Sequence, residues 1–181
     1  AARLRDAGAD AAAARELAED PKQRAENLMI VDLIRNDLSR VAVPGSVAVP
    51  DLFRVESFPT IHQLVSDVSA RLPEGAGAVD VLRAAFPCGS ITGAPKVRAM
   101  EIIDDLEEGP RGLYTGSIGF IEPGGGAAFN VAIRTLVLPQ SALRDGPRCA
   151  TLGLGSGIVA DSEPAEEWGE WLVKGGFVGG G

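Results

Sequence analysis

The chain has 181 residues, 45% of them hydrophobic, which is enough for one globular domain with a core of its own. The net charge of −8 argues against a nucleic-acid partner, because binding phosphates needs a basic face. No apolar run approaches the roughly 18–20 residues of a membrane span, and the first residues lack the apolar centre of a signal peptide. We therefore expect a cytoplasmic protein.

Few cysteine and histidine side chains are available for zinc binding or nucleophilic catalysis. The two cysteines, Cys88 and Cys149, lack the spacing of zinc ligands, and the compartment favours free thiols, with a disulfide as the alternative. His62 is the only histidine. A Ser-His-Asp triad would have to use it, and no nucleophile-elbow sequence accompanies it.

The first half of the chain combines two helices with a group of strands. Residues 8–19 are rich in Ala and Glu, and Asp20 and Pro21 then have the pattern of a cap and first position of a second helix, which runs to about Arg40. Strands are predicted over 46–49, 52–57 and 61–68, separated by prolines. A short helix over 79–86 and a loop over 89–92 follow.

The second half is predicted to contain a helix, three strands and a last helix. The first helix opens at Ala94 and Pro95 and ends near Leu106. The strand-like segments are 114–122, 127–138 and 148–154, and the last helix runs from 162–164 to about 173. The glycine-rich residues 175–181 are not expected to extend it. The order favours an α+β fold with antiparallel sheet and packed helices.

The last helix carries acidic residues on one face. Glu167, Glu170 and Lys174 have the spacing i, i+3 and i+7, so they share a side of the helix. Two neighbouring carboxylates suit a hard cation such as Mg²⁺. The alternative is a solvated acidic face with an ion pair between Glu170 and Lys174, which periodicity alone favours.

Three further features could contact an anionic ligand. The segment from Gly153 to Gly157 offers backbone N–H groups to an anion, but it lacks the spacing of a dinucleotide fingerprint and is equally typical of a flexible turn. Arg134 interrupts an apolar strand and either faces solvent or binds a carboxylate. The hydroxyl of Tyr114 either reaches a ligand or belongs to a side chain packed in the core.

Five separated blocks of the sequence resemble the chorismate-binding family, which includes anthranilate, aminodeoxychorismate, isochorismate and salicylate synthases. They occur in the expected order and extend over roughly residues 20–174. The blocks are AENLMIVDLIRND (25–37), GSITGAPKVRAM (89–100), TGSIG (115–119), AIRT (132–135) and GIVADS (157–162).

The resemblance implies a role for each candidate residue. It implies that Mg²⁺ is held by Glu26 and Glu170, with Glu167 beside them, and binds the ring carboxylate of chorismate. The other implied residues are Ser90 and Thr92 as the catalytic pair lining the pocket, Tyr114 and Arg134 at a substrate carboxylate, and Gly155, Ser156, Gly157 and Lys174 at the metal-side carboxylate.

Within the family, two features resemble the aminodeoxychorismate synthase branch. Asn27 follows Glu26, and the glycine block has the form GSITGAPK, whereas anthranilate synthases usually have His and GTLSGAPK there. The resemblance implies replacement of the 4-hydroxyl of chorismate by an amino group, for 4-aminobenzoate and folate synthesis. Ammonia would come from a glutamine amidotransferase. The alternatives are the anthranilate synthase reaction or a chorismate-binding fragment without catalysis.

Two departures from the family pattern bear on that expectation. The first argues against anthranilate synthase and leaves the role of His62 open, and the second concerns the nucleophile. Gln63 stands where anthranilate synthases carry a histidine, and His62 one place earlier should face the other side of a strand. The PIKGT motif, whose lysine is taken to be the nucleophile, does not occur. We expect residues 1–174 to be a partial catalytic domain without its N-terminal half, followed by a glycine-rich tail over 175–181, inactive and poorly soluble alone.

Overall fold

The structure is a computed structural model that describes residues 1–139, 149–158 and 162–179. It divides into two compact units, Ala1–Gly89 and Ser90–Gly181. No helix in the described part of the chain is both long enough and apolar enough to cross a membrane.

The first unit opens with two capped helices, α1 (Ala7–Glu19) and α2 (Pro21–Ser39). The carboxylate of Asp6 accepts a hydrogen bond from the backbone N–H of Ala9 at 2.8 Å. That of Asp20 accepts one from Gln23 at 2.9 Å, with Pro21 at the start of the helix. Each cap satisfies a backbone donor that the first helical turn leaves unpaired. Both predicted helices are confirmed.

The helices are followed by an antiparallel hairpin of β1 (Ala48–Ser57) and β2 (His62–Ser69). The prediction of two strands on either side of Pro50 is wrong, because a single strand spans it. The register shifts between Ala48 and Asp51, so Pro50, which has no N–H, lies where the regular ladder is interrupted. A second shift follows, where Phe53 has a φ of 61°.

Helix α2 is joined to the hairpin by a polar contact. The Ser66 hydroxyl donates to the side-chain oxygen of Asn27 at 2.5 Å and accepts from the backbone N–H of Phe53 at 3.0 Å. The same helix buries Val31 and Asp37. The contact fixes α2 against β2 next to Glu26.

The first unit ends with α3 (Ala78–Ala85) and the start of a short helix, α4 (Gly89–Thr92). A loop was predicted over 89–92, and that prediction is wrong. Gly89 is buried, and a Cβ atom added to it would lie 2.8 Å from Cβ of Leu33. Glycine therefore allows the chain to approach α2 closely at the point where α4 begins.

The second unit contains α5 (Lys96–Leu106), two small hairpins and a terminal helix. Pro95 caps α5 and is not its first residue, a shift of one position from the prediction. The hairpins are antiparallel, and α6 (Pro164–Gly179) ends the described chain. The strands are β3 (Gly119–Ile121) paired with β4 (Ala127–Phe129), and β5 (Leu136–Val137) paired with β6 (Thr151–Leu152). The two units together confirm an α+β fold with antiparallel pairing.

The strands of the second unit are much shorter than predicted. Thr115 and Arg134 have φ angles of 64° and 50°, in the left-handed region, where an extended strand cannot continue. Pairing persists around them, since the N–H of Ala132 donates to the Gly116 carbonyl at 2.8 Å. Residue 148, where the third segment was predicted to begin, lies outside the described residues.

The last helix is longer than predicted. It continues to Gly179, although residues 175–181 were expected not to extend it. Glycine lowers helix propensity by about 1 kcal/mol without removing a hydrogen-bond donor, so packing can outweigh it. Gly175 packs closely on Leu154, because a Cβ added to it would lie 3.0 Å from the Leu154 side chain.

Candidate functional site

In the second unit, the carboxylate of Glu167 is the centre of a hydrogen-bonded cluster. The Ser162 hydroxyl donates to its Oε1 at 2.8 Å, and the Ser156 hydroxyl donates to its Oε2. The indole N–H of Trp171 donates to Ser156 Oγ at 2.8 Å. Glu167 lies in the first turn of α6, where the N–H groups of the helix favour a negative charge. The carboxylate is therefore held in one orientation.

Glu170 and Lys174, one and two turns further along α6, form the ion pair that the periodicity predicts. Lys174 Nζ lies 2.6 Å from Glu170 Oε1 and donates to the Gly155 carbonyl at 2.9 Å. The Glu170 side chain is 52% exposed, so its carboxylate is open to solvent. Lys174 thus joins the acidic face to the glycine-rich segment.

Tyr114 explains two of the glycines in that segment. A Cβ added to Gly153 would lie 2.2 Å from Cγ of Tyr114, and one added to Gly155 would lie 2.4 Å from its hydroxyl oxygen. Only glycine fits at these positions while the ring stays in place. Burial raises the pKa of the Tyr114 hydroxyl, while Arg111, 5.9 Å from the ring centroid, opposes that shift. The half-buried ring of Tyr114 thus packs against the glycine segment, and its contact with a ligand stays a prediction.

The other predicted contacts of the second unit are more dispersed. Arg134 is exposed, at a positive φ and not within a strand. It has no hydrogen bond or ion pair to any residue in the part of the chain that the structure describes. Ser90 and Thr92 lie on α4, with Ser90 exposed and Thr92 half-buried, and Gly157 is exposed. The roles of these residues stay predictions.

Glu26, the third predicted metal ligand, lies exposed on α2 in the first unit. The predicted set therefore draws on both units, since Glu167 and Glu170 belong to the second. Within residues 1–139, 149–158 and 162–179, no three His, Cys, Asp or Glu side chains are grouped as a metal site. The assignment of Glu26, Glu167 and Glu170 to Mg²⁺ stays a prediction.

A cavity of about 260 Å³ borders the acidic face of α6. Its lining is formed by Ile158, Ser162, Pro164, Glu167, Trp168 and Trp171. The two indole rings are 5.8 Å apart and inclined at 55°. The Glu167 carboxylate thus lies beside a mainly apolar wall that is open to solvent at Ile158 and Trp168.

Sequence reasoning missed a polar network around His62 in the first unit. The buried imidazole is 2.8 Å from Ser57 Oγ through Nδ1 and 3.0 Å from Asp10 Oδ1 through Nε2. Arg3 binds the same carboxylate and, together with the backbone N–H of Leu4, holds the pKa of Asp10 well below its usual range. The available signal was the short connection between the predicted strands 52–57 and 61–68, which in the structure pairs Ser57 with His62.

The cysteines are both free thiols, with Cys88 half-buried and Cys149 exposed. The disulfide that the sequence left open as an alternative is therefore absent between these two described residues. The preference for free thiols is confirmed.

Comparison with known proteins decides the family. A family model described as chorismate binding enzyme matches residues 1–178. The chain belongs to the chorismate-binding enzyme family. Aminodeoxychorismate synthase component 1 of Klebsiella aerogenes is 57% identical over 172 residues, which is 95% of this chain and 37% of that protein. Anthranilate synthase component 1 of Streptomyces coelicolor is 49% identical over 160 residues, 88% of this chain and 30% of that protein.

A solved structure of the chorismate-binding family supports the fold. The chain resembles anthranilate synthase component I from Streptococcus pneumoniae with a TM-score of 0.78 and 34% identity, over 96% of this chain and 40% of that one. The chain thus spans roughly two fifths or less of the length of these relatives. The resemblance seen in the five sequence blocks is confirmed at the level of family and fold.

Proposed function

We propose that this chain is the C-terminal part of an aminodeoxychorismate synthase component 1, which replaces the 4-hydroxyl of chorismate by an amino group. The observation that carries the proposal is the 57% identity to a component 1 of that name, against 49% to an anthranilate synthase component 1. Asn27 after Glu26 and the GSITGAPK block support the same branch.

The donor set on α6 is compatible with Mg²⁺. Carboxylate oxygens are the ligands that this ion prefers, and second-shell hydrogen bonds commonly orient such ligands. Glu167 has serine hydroxyls on both oxygens, while Glu170 is open to solvent. We assign Glu167, Glu170 and Glu26 as the residues that would hold the ion. Bound Mg²⁺ would supply positive charge for the substrate carboxylate and polarise the ring.

The chain's own cations and backbone complete the proposed binding site. Lys174 bridges Glu170 and the Gly155 carbonyl, and so fixes the glycine segment that is proposed to receive the metal-side carboxylate. Arg134, which is exposed, is proposed to bind a second carboxylate of the substrate. Tyr114 would contact the ligand only at the edge of the glycine segment, since its ring packs there.

The reaction needs groups beyond this chain. The carbon–oxygen bond of the 4-hydroxyl breaks, a carbon–nitrogen bond forms, and water leaves, so overall chorismate and ammonia give 4-amino-4-deoxychorismate and water. We propose a glutamine amidotransferase as the source of ammonia, which the word component in the relatives' name supports. The PIKGT lysine expected of the branch is not in this sequence, so turnover is proposed for the full-length protein that carries it. The cytoplasmic location stays a prediction.

The test is a product assay on that full-length protein. It is incubated with chorismate, Mg²⁺ and ammonium at alkaline pH, and the products are separated by chromatography after addition of a lyase that forms 4-aminobenzoate. Appearance of 4-aminobenzoate is the expected result. Fluorescent anthranilate would instead assign the protein to the anthranilate synthase branch and leave the proposed metal site unchanged. If chorismate is not consumed, the result contradicts both branches.

Replacing Glu170 with Gln tests the metal assignment in the same assay. The substitution keeps the size of the side chain and removes its charge, so we expect loss of Mg²⁺-dependent turnover with an unchanged circular dichroism spectrum. Glu166→Gln is the matched control, because Glu166 is an exposed neighbour on the same helix. Unchanged Mg²⁺ dependence in Glu170→Gln would show the assignment to be wrong.

A further inference from the structure

The cluster around Glu167 is a relay with a fixed direction. An indole N–H can only donate, so Trp171 donates to Ser156 Oγ, at 2.8 Å. A hydroxyl has a single proton, and because Ser156 Oγ accepts from the indole N–H, that proton points to Glu167 Oε2. The side chain of Ser156 is thereby committed to Glu167. Any contact of Ser156 with an anionic ligand must come from its backbone.

The geometry points to Trp171 as a positioning residue for the Glu167 carboxylate, acting through Ser156. The inference rests on the proposed role of Glu167 beside Mg²⁺. Trp171 lies one turn after Glu167 on α6, whereas Ser156 belongs to the glycine segment. The relay therefore ties the carboxylate to two separate parts of the backbone. Because the side chain is already fixed, it loses less rotational freedom when the ion binds.

The relay lies beside the mainly apolar cavity of the second unit. Glu167, Ser162 and Trp171 line the same 260 Å³ cavity, whose wall is mainly apolar. Ser162 holds the other oxygen of Glu167 at 2.8 Å. Trp171 thus supplies the donor that stops the Ser156 hydroxyl from turning away from Oε2. The indole ring of Trp171 packs in the cavity wall, and its N–H orients the Ser156 hydroxyl.

The two tryptophans of the chain allow a matched comparison. Trp171→Phe removes the N–H and keeps an aromatic ring, while Trp168→Phe makes the same chemical change in a neighbour that is 58% exposed and outside the relay. Ser156→Ala removes the middle of the relay. Each variant is made in the full-length protein, and Mg²⁺ affinity is measured by titration calorimetry without substrate, beside the Mg²⁺ dependence of turnover.

We expect a graded loss of Mg²⁺ affinity. Ser156→Ala should weaken binding by on the order of tenfold, as is typical of second-shell changes. Trp171→Phe should weaken it about fivefold, equivalent to one neutral hydrogen bond. Trp168→Phe should stay within about twofold of the unmodified protein, in the range of a surface change. The double variant Trp171→Phe with Ser156→Ala should bind no more weakly than Ser156→Ala alone, because both act along one path.

Several results would overturn the inference. Wild-type affinity in Ser156→Ala would exclude the relay even if Trp171→Phe did not fold. Equal losses in Trp171→Phe and Trp168→Phe would assign the effect to ring packing. If the unmodified protein binds Mg²⁺ but none of the variants differs from it, only the positioning role fails. If the unmodified protein itself does not bind Mg²⁺, the proposed metal site fails and the positioning role with it.

Discussion

At the scale of single residues, His62 is the centre of a hydrogen-bonded network that the hairpin register helps to form. Its two ring nitrogens contact Ser57 and Asp10, residues that are near it in space because one lies across the hairpin and the other on α1. The arrangement contains the residue types of a hydrolytic triad. However, Asp10 is bound by Arg3 on the same carboxylate, and the ring is buried. We interpret the network as a clamp between α1 and the hairpin.

Replacing His62 with Ala is expected to lower the free energy of unfolding by about 1–3 kcal/mol, because two polar partners lose a buried hydrogen bond. Urea denaturation measures the change. Gln63→Ala, at the exposed neighbouring position, is the control and should have a much smaller effect. Equal effects of the two substitutions would contradict the clamp.

The lowered pKa of Asp10 gives stability a dependence on acid pH. A carboxyl group whose pKa is lower in the folded than in the unfolded chain stabilises the fold above its unfolded pKa, near 3.8, and that stability is lost as the pH falls below it. We expect Asp10→Asn to flatten the decline in melting temperature between neutral and acid pH. An unchanged pH profile, measured by thermal denaturation, would contradict the pairing with Arg3.

At the scale of elements, local signals predicted the helices better than the strands. Asp20 and Pro21 predict the start of α2, because an Asp cap and a first-turn Pro are favoured there. The ends of β3 and β5 instead depend on positive φ angles at Thr115 and Arg134, which these residue types do not predict. Candidate site residues on one helix, such as Glu170 and Lys174, were predictable from periodicity. The relay from Trp171 to Glu167 was not, because Ser156 lies on a separate segment.

The glycines of α6 offer a test of helix propensity against packing. A Cβ added to Gly176 would meet no atom within 4 Å, so Gly176→Ala should stabilise the helix by about 0.5–1 kcal/mol. Gly175→Ala is the matched control, because its Cβ would lie 3.0 Å from the Leu154 side chain and the gain should be smaller. Thermal denaturation compares the two. A larger gain at Gly175 would contradict the packing of α6 on Leu154.

At the scale of the whole molecule, apolar surface is the dominant feature. Side chains such as Val97, Leu106 and Val173 are 70%, 77% and 81% exposed. The chain spans 37% of the length of aminodeoxychorismate synthase component 1 of Klebsiella aerogenes. Sequence reasoning predicted the family from five blocks, while the metal set of Glu26, Glu167 and Glu170 draws on two units and remains a prediction for that reason.

The isolated 181-residue chain is expected to self-associate. Exposed apolar side chains and the open edges of two-stranded sheets are both surfaces on which copies can pair. Sedimentation velocity at increasing concentration should show species heavier than the 18.7 kDa monomer. A monomer with a sharp, cooperative thermal transition at all concentrations would contradict this expectation.

The contact between Tyr114 and the glycine segment has a consequence for how the sequence can diverge. The two positions compete for one small volume, because the nearest atom to a Cβ at residue 155 is the tyrosine hydroxyl oxygen at 2.4 Å, and the next is Cζ at 3.7 Å. Alanine at 155 therefore requires the tyrosine hydroxyl to shift, or phenylalanine at 114, which leaves the space empty. In an evolving lineage, loss of the hydroxyl before the change at 155 avoids the clash, so substitution at these two sites is coupled and has a favoured order.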